Sequence, residues 1–402
     1  MSKKISLSVA LTIMLIAMAV TFSVTMAFSQ NMFNNSVTSV KSRERMYNKL
    51  SEIDRYARAN EYFDIDEDTL NDTIASGYML GISDRYARYY SVQQYSELMG
   101  TQSGRLMGIG VSVVKDSSSG YARILRVYEN SPAAEVGMQE GGFLTSIGDT
   151  SLRSLSDTSA VQSALLGEEG STVSIGYLAP DHTEQTYTIT RANYTTATVF
   201  SQMLDGNCAY IDIDDFSATT GTEFRSAVDD MRGQGATSFV FDLRDNSGTN
   251  LNAALVAADY CVPSGLIAQS QAKDGTTTDL RVSDDTEITQ PMVCIVNGNT
   301  AGGAELFANA LRKMADVSLV GSTTAGQGVV LSEPQSLSDG SAIVITVGLI
   351  LDNEDQSWNG TGLTPDVEVT LSADEMNNYY DFTVDTDPQI QRAVAAVQAL
   401  VG

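Results

Sequence analysis

The second half of the chain alternates between strand-like and helix-like stretches, and this alternation limits the fold more than any other sequence feature. The strand-like stretches have β-branched or aromatic centres, and the others have apolar residues at helical spacing. The predicted strands are 210–213, 239–243, 292–296 and 342–347, and the predicted helices are 223–232, 251–260 and 304–314. Such alternation predicts an α/β layer domain over residues 196–375.

The composition is that of a folded, acidic protein. The chain has 402 residues, 43% of them hydrophobic, which is enough to bury a sizeable core in two or three domains. Its formal charge is −26, from 50 Asp plus Glu against 24 Lys plus Arg. A field of this sign repels phosphate backbones, so nucleic acid is not an expected partner. We interpret the acidity as a solubilising surface.

Cysteine and histidine usage excludes several kinds of site. Cys208, Cys261 and Cys294 form no C-x-x-C pair, and we interpret them as buried thiols. The single histidine, His182, lies in a turn-like segment, which argues against a Ser-His-Asp relay. Because the sequence has neither a phosphate loop nor metal-spaced histidines and cysteines, no cofactor and no metal is expected.

The first 30 residues have the features of a membrane-targeting segment. Lys3 and Lys4 precede an uncharged run over 5–28, which is long enough to cross the hydrocarbon core of a bilayer as one helix. Small residues at Thr25 and Ala27 also allow a cleaved signal peptide. Both interpretations place residues 31–402 outside the cytoplasm, on a single-pass anchor in the cell membrane or as a secreted protein.

The rest of the chain divides into four parts that differ in their predicted secondary structure. The predicted fold class is a multidomain α+β and α/β protein. Residues 31–100 form a helical N-terminal segment, with helical spacing over 41–98, and 101–195 form a β-rich module with one helix at 158–166. The core at 196–375, joined by part of 41–100, precedes a helical segment at 376–402. Within that last segment, the apolar spacing over 390–400 fits either a subunit interface or a core helix.

A glycine-containing stretch opens the β-rich module. Met107-Gly108-Ile109-Gly110-Val111 is followed by a strand-like stretch at 124–127, by Ser131-Pro132-Ala133-Ala134 and by Gly137-Met138. This order resembles the PDZ domains of bacterial proteases, although Gly142 stands where those domains usually have an aspartate. Glycines let N–H groups converge on a carboxylate, and the next strand can accept an extended tail. The resemblance implies that residues 107–111 bind apolar peptide C-termini.

Five ordered landmarks extend over residues 41–370. They are Gly81-Ile82-Ser83-Asp84-Arg85-Tyr86, Tyr210-Ile211-Asp212-Ile213 with Phe216, Asp242-Leu243-Arg244-Asp245-Asn246-Ser247-Gly248, Gly340-Ser341-Ala342 and Gly362-Leu363-Thr364-Pro365-Asp366. Together they resemble the carboxyl-terminal processing peptidases, or tail-specific proteases, a family of serine peptidases with a PDZ domain. The resemblance implies a hydrolase core that cuts proteins near their C-termini.

The family's Ser-Lys pair has no equivalent at the matching positions. The serine segment corresponds to Thr300-Ala301-Gly302-Gly303-Ala304-Glu305, and alignment on Glu305 puts Gly302 at the nucleophile position. Gln327 occupies the position of the lysine base. Glycine offers no nucleophile, and a neutral amide cannot accept the hydroxyl proton.

Two further positions depart from the family pattern. Leu331 stands where a glutamine would orient the lysine. Thr249 replaces the second glycine after Gly248, in the region that the family uses for its oxyanion pocket. Four departures from the family pattern within one catalytic site favour a general loss of catalytic activity over a single inactivating substitution.

These observations predict a pseudopeptidase: an extracytoplasmic protein that binds peptide or unfolded-protein C-termini, as a homo-oligomer or as partner of an active relative. The alternative is an active serine-type endopeptidase with a rearranged site, in which Thr300 would attack and Lys313 or a hydroxyl of the 322–324 turn would assist. A purely structural scaffold in the cell wall is a third hypothesis, and the glycine loop argues against it.

Overall fold

A computed structural model describes residues 7–103, 105–284 and 287–401 and divides into two compact units, Met1–Ile74 and Ala75–Gly402. Lys3, Lys4 and the first residues of the predicted span lie outside the described residues. The rest of the span falls in the first helix, α1 (Leu7–Asn60). Within the described part of the chain, no helix combines the length and hydropathy that a membrane crossing requires.

The N-terminal segment is mostly helical, as predicted. After α1 it contains α2 (Glu67–Gly81), strand β1 (Arg88–Tyr90) and α3 (Val92–Ser103). The side chain of Asp66 caps α2 by accepting the Thr69 N–H at 2.9 Å. An exposed ion pair joins Arg58 to Glu67.

The β-rich module forms an antiparallel sheet with its own apolar core. Its strands are β2 (Arg105–Gly108), β3 (Val111–Lys115), β4 (Ala122–Val127), β5 (Phe143–Ile147), β6 (Thr150–Ser151), β7 (Thr172–Leu178), β8 (Glu184–Thr190) and β9 (Ala192–Thr195), and its helices are α4 (Pro132–Glu135) and α5 (Thr158–Leu165). The main sheet has the order β3-β4-β5-β7-β8, so β3 lies at its edge. The predicted helix at 158–166 is confirmed as α5.

Gly142 is explained by packing inside this module. A Cβ added at Gly142 would lie 2.7 Å from the Tyr177 ring. Because the Tyr177 hydroxyl also accepts the Gln139 N–H at 3.0 Å, the ring is held over this turn. A side chain at position 142 would therefore displace it.

The α/β core follows, with the predicted alternation confirmed. Its strands are β10 (Val199–Leu204), β11 (Cys208–Ile213), β12 (Ser238–Asp242), β13 (Gly265–Ala272), β14 (Thr277–Ser283), β15 (Met292–Val296), β16 (Ser318–Gly321), β17 (Val329–Leu331), β18 (Gln335–Ser336), β19 (Ala342–Val344), β20 (Thr346–Asp352) and β21 (Val367–Glu368). Its helices are α6 (Thr220–Gly233), α7 (Leu251–Asp259), α8 (Gly303–Ala315), α9 (Ala373–Asn377) and α10 (Pro388–Val401).

The central sheet has the order β10-β11-β12-β15-β16-β21, and all its pairings are parallel except that of β10 with β11. Alternate residues of each strand serve opposite faces. Phe239 and Phe241 of β12 pack with α6, α7 and α8, whereas Val240 packs with α10. The result is a three-layer α/β/α domain.

Two details of the predicted elements were wrong. Residues 88–90, within the segment predicted to be helical, form β1 because they pair antiparallel with β19 at the edge of the core. The predicted strand at 342–347 is two strands, since β19 pairs with β1 and β18 whereas β20 pairs with β13 and β17.

The three cysteines and one face of the C-terminal helix are buried in the core. All three thiols are free and buried, as predicted, and burial raises the pKa of Cys261 and Cys294. Ile390, Ala393 and Val397 of α10 pack on the central sheet, so this face of the helix belongs to the core.

Arg244 fastens α10 to the end of β12. Its guanidinium pairs with Asp242 at 2.6 Å and with Asp387 at 2.7 Å, and all three side chains are buried. Asp387 also accepts the Gln389 N–H at 2.8 Å at the start of α10. One buried cation therefore joins the sheet to its covering helix.

We predict that Arg244→Ala lowers the free energy of unfolding by about 3–5 kcal/mol, because it leaves two buried carboxylates without their cation. Urea unfolding followed by circular dichroism measures this loss. Arg392→Ala, at an exposed position of the same helix, is the matched control and should cost under about 0.5 kcal/mol. Equal losses in the two variants would contradict the role of Arg244.

Candidate functional site

Three loops meet at the carboxyl edge of the central sheet. They follow β12, β15 and β16, which are parallel neighbours. Because the carboxyl ends of parallel strands share one edge, the loops bring together Gly248, Gly302 and Gln327. This is the position at which open α/β sheets place their ligand and active sites.

Gly302 is the N-cap residue before α8 and has a conformation that few other residues adopt. Its backbone angles are φ 52° and ψ −116°, in a region that strains residues with a side chain. A Cβ built on Gly302 would lie 3.4 Å from Nε2 of Gln327 and 3.2 Å from the carbonyl oxygens of Ser247 and Gly248. The predicted nucleophile and base positions therefore face each other, with no side chain at one and an amide at the other.

The side chain of Glu305 links Gly302 to Gln327 through hydrogen bonds. Its fully buried carboxylate accepts the Gly302 N–H at 3.2 Å, the Gln327 N–H at 2.7 Å and the Gly326 N–H at 2.8 Å. The Thr324 hydroxyl donates a fourth hydrogen bond to it. Burial raises the pKa of Glu305, and these four donors oppose that shift.

The sequence landmark at 81–86 also contacts the turn at 324–327. The Tyr86 hydroxyl donates to the Gly326 carbonyl at 2.7 Å, and Arg85 donates to the Ala325 carbonyl at 3.2 Å. Asp84 accepts from the Thr346 N–H at 2.9 Å, which anchors the landmark to β20. Sequence reasoning recognised this landmark but did not assign it a role.

At Gly248 and Thr249, where the family resemblance predicts an oxyanion pocket, the backbone N–H groups are already engaged. The Gly248 N–H donates to the side chain of Asn246 at 2.9 Å, and the Thr249 N–H donates to Asp215 at 3.2 Å. The Thr249 hydroxyl adds bonds to Asp215 at 2.8 Å and to the Phe216 carbonyl at 2.9 Å. Thr249, which stands where the family has a glycine, thus connects this loop to Asp215 and Phe216.

Leu331 lies four residues after Gln327, in the strand that follows the turn. It is the last residue of β17, where its backbone pairs with Thr346. Its apolar side chain offers no hydrogen bond to Gln327.

The alternative nucleophile and base are committed elsewhere. The buried Thr300 hydroxyl donates to the Leu243 carbonyl at 2.7 Å and accepts the Asn297 N–H at 2.9 Å. Lys313 pairs with Asp352 and Glu354. It lies roughly 16 Å along α8 from Gly302 at the rise of an α-helix.

The predicted peptide-binding loop borders a cavity of about 280 Å³. Ile109, Gly110 and Val111 line this cavity together with α5. Met107 and Gly108 belong instead to β2, where they pair with β9. The loop carbonyls are fixed, since Ile109 accepts the Ala133 N–H at 2.8 Å and Gly110 accepts the Tyr128 N–H at 3.1 Å.

Gly110 is required by close packing as well as by conformation. Its φ is +84°, and a Cβ there would collide with the Ser131 side chain. Ser131 in turn donates to the Gly110 carbonyl at 3.2 Å and caps α4. The Ser-Pro-Ala-Ala landmark therefore shapes the glycine loop.

Sequence reasoning missed a group of aspartates beside this cavity. Asp214 and Asp215 line it from the core, and they also line a second cavity of about 690 Å³. Arg126 of β4 pairs with Asp212 and, at 3.4 Å, with Asp214, so it fastens the β-rich module to the core. Their signal in the sequence is the clustering of acids directly after β11.

Asp212 has a strongly perturbed acidity. Burial raises its pKa well above the ordinary value, and the neighbouring carboxylates of Asp214 and Asp242 raise it further. Arg126 and Arg244 oppose this rise. The folded chain therefore retains a proton at Asp212 to higher pH than the unfolded chain does.

Asp212→Asn should change how stability depends on pH. The raised pKa makes the wild-type free energy of unfolding fall as pH rises from the ordinary pKa of 3.8 through the raised value. The variant lacks this term, so its unfolding free energy relative to wild type should increase as the pH rises from about 4 through the raised pKa of Asp212. Urea unfolding across this range measures the difference. Asp230→Asn, at an exposed position, is the control, and a constant difference for Asp212→Asn would contradict the assignment.

Gly302→Ala should fold but lose about 1–3 kcal/mol of stability, because alanine must adopt a positive φ. Thermal and urea unfolding measure this cost. Gly233→Ala is the control, since nothing lies within 4 Å of a Cβ added there. A Gly302→Ala variant as stable as the wild type would mean that this backbone conformation is not kept in solution.

Family models match both parts of this architecture. The model of peptidase family S41 matches residues 207–369, and that of the PDZ domain matches residues 123–177. The carboxy-terminal processing protease CtpA of Bacillus subtilis is 28% identical over 342 residues, which cover 84% of this chain and 72% of that protein. The carboxyl-terminal-processing protease of Synechocystis sp. is 28% identical over 320 residues, covering 78% and 73% respectively.

A solved structure shares the fold. An S41 family protein of Bacteroides fragilis superimposes with a TM-score of 0.57 at 19% identity, covering 85% of this chain and 92% of that one. The ordered landmarks agree with the two family models and with the curated relatives. The chain thus has a peptidase family S41 domain and a PDZ domain, and the curated proteins that it resembles are carboxyl-terminal processing proteases.

Proposed function

We propose that this chain is a pseudopeptidase: an extracytoplasmic member of its family that binds peptide C-termini and does not cleave them. The observation that carries the proposal is the facing pair of Gly302 and Gln327. The backbone there keeps an arrangement in which a side chain at 302 would meet the group at 327 within 3.4 Å. Neither residue can attack a carbonyl or accept the nucleophile's proton.

The surrounding contacts favour the same conclusion. Loss of a nucleophile or base costs several orders of magnitude in rate, even in an otherwise complete site. Here the N–H groups of Gly248 and Thr249 also bond to side chains within the protein. The Thr300 hydroxyl donates to a backbone carbonyl. Among the described residues, the contacts of Thr300 and Lys313 do not favour the alternative of a rearranged active site.

Peptide binding is supported by the shape of the PDZ module. β3 lies at the edge of its sheet, so an added strand can pair with it in the cavity between β3 and α5. We propose that the N–H groups of Ile109 and Gly110 receive the terminal carboxylate. The apolar side chain of the last residue would then pack against Val111, Leu165 and Leu166, which line the cavity.

An extracytoplasmic location is proposed from the N-terminal sequence. The uncharged run over 5–28 after two lysines supports a signal anchor or a signal peptide. N-terminal sequencing of the mature protein tells these two apart.

The purified chain should not hydrolyse a denatured, fluorescently labelled protein above the rate in buffer. Its site offers neither a nucleophile nor a base. Release of labelled peptides, followed by fluorescence and by gel, measures the rate. Cleavage that co-purifies with the chain and disappears in Thr300→Val would contradict the proposal and favour the rearranged site.

A variant with the family residues restored controls for an unsuitable substrate. It combines Gly302→Ser, Gln327→Lys, Leu331→Gln and Thr249→Gly. Cleavage by this variant alone would locate the loss of activity at these four positions. Thr300→Ser, which keeps the hydroxyl, is the control for Thr300→Val.

A further inference from the structure

The PDZ groove is short and is bounded partly by the core. At its far end the Lys115 N–H donates to the Thr158 hydroxyl at 2.9 Å, which joins β3 to the start of α5. At the glycine-loop end, residues 196–198 and 214–215 of the core line the same cavity. A bound tail therefore contacts the core within a few residues of its terminus.

The described residues that line this groove are acidic or neutral. Glu97, Asp214 and Asp215 line it, and no Lys, Arg or His among them does. The adjoining cavity of about 690 Å³ shares Asp214 and Asp215 with the groove. It adds four acids, Asp212, Asp242, Asp245 and Asp387, and two cations, Arg126 and Arg244.

Neither of these cations is available to a ligand. Arg126 is paired with Asp212 and Asp214. Arg244 is paired with Asp242 and Asp387. The two cavities together are thus lined by seven acidic residues and by two arginines that are both paired.

Asp215 is the carboxylate best placed to receive a cation. Its hydrogen bonds come from the N–H and hydroxyl of Thr249, at 3.2 and 2.8 Å, and both donors are neutral. Burial raises its pKa, so a positive charge placed beside it would be matched by ionisation of the carboxyl. A lysine or arginine side chain has the length to reach Asp215 from the groove while its stem packs on apolar surface.

We propose that the groove selects peptide tails with a lysine or arginine close to an apolar C-terminal residue, through Asp215 and its acidic neighbours. This selectivity rests on the proposed peptide-binding function. A tail with glutamate or aspartate at the same place is rejected, because like charges in a partly desolvated site cost far more than at an open surface.

Three fluorescein-labelled octapeptides test the selectivity against the full chain. They share an apolar free-acid end and carry two lysines, two glutamines or two glutamates at the third and fourth positions from the terminus. Fluorescence anisotropy should rank lysine above glutamine above glutamate, with at least about a tenfold range of Kd at low salt that narrows at high salt.

The outcomes separate the two proposals. Equal affinity for all three peptides would overturn the charge selectivity and leave peptide binding intact. Tightest binding of the glutamate peptide would also overturn it. Failure of all three to bind would overturn peptide binding by this groove, and with it the selectivity.

A pair of variants tests the assignment to Asp215. Asp215→Asn should reduce the preference for lysine over glutamate by about threefold to tenfold. Asp230→Asn removes the same charge from an exposed position outside both cavities and should leave the preference unchanged. Circular dichroism checks that both variants fold, and Asp214→Asn serves if Asp215→Asn does not. An unchanged preference in the folded groove variant, or an equal loss in both variants, would overturn the assignment.

Discussion

The arrangement at the carboxyl edge of the sheet depends on the carboxylate of Glu305. Each of its oxygens accepts two hydrogen bonds, and the donors come from the start of α8 and from the turn at 324–327. Hydrogen bonds to a charged acceptor are worth about 1.5–3 kcal/mol each. In this chain Glu305 acts as a structural clamp, and it keeps Gly302 and Gln327 facing each other although neither can catalyse.

A second contact, between the PDZ module and the core, positions the proposed peptide-binding groove. Arg126 pairs with Asp212 and Asp214 and lies 4.0 Å from the centre of the Phe200 ring. This contact sets acids of the core beside a groove that belongs to the PDZ module. Asp215, which lines that groove, also accepts hydrogen bonds from Thr249. The proposed peptide-binding groove and the loop of Gly248 and Thr249 thus meet at one short segment after β11.

The sequence predicts the layers of the core, because they follow from local patterns. Alternating apolar residues specify the parallel strands, and parallel strands place their loops at one edge. Gly302 and Gln327 are singled out instead by the resemblance to the peptidase family, the former through alignment on Glu305. The strand β1 is missed because its pairing partner, β19, lies about 250 residues away in sequence. The acidic groove is missed because Glu97, Asp214 and Gly110 are brought together only by tertiary packing.

Whether this chain holds a peptide tail without cutting it can be measured directly. The chain is saturated with a lysine-containing apolar octapeptide, as judged by fluorescence anisotropy, and peptide and protein are analysed by mass spectrometry over time. We predict that the peptide stays bound and is recovered intact, with no covalent mass added to the chain. Cleavage products that accumulate in proportion to the protein, or an acylated chain, would contradict it.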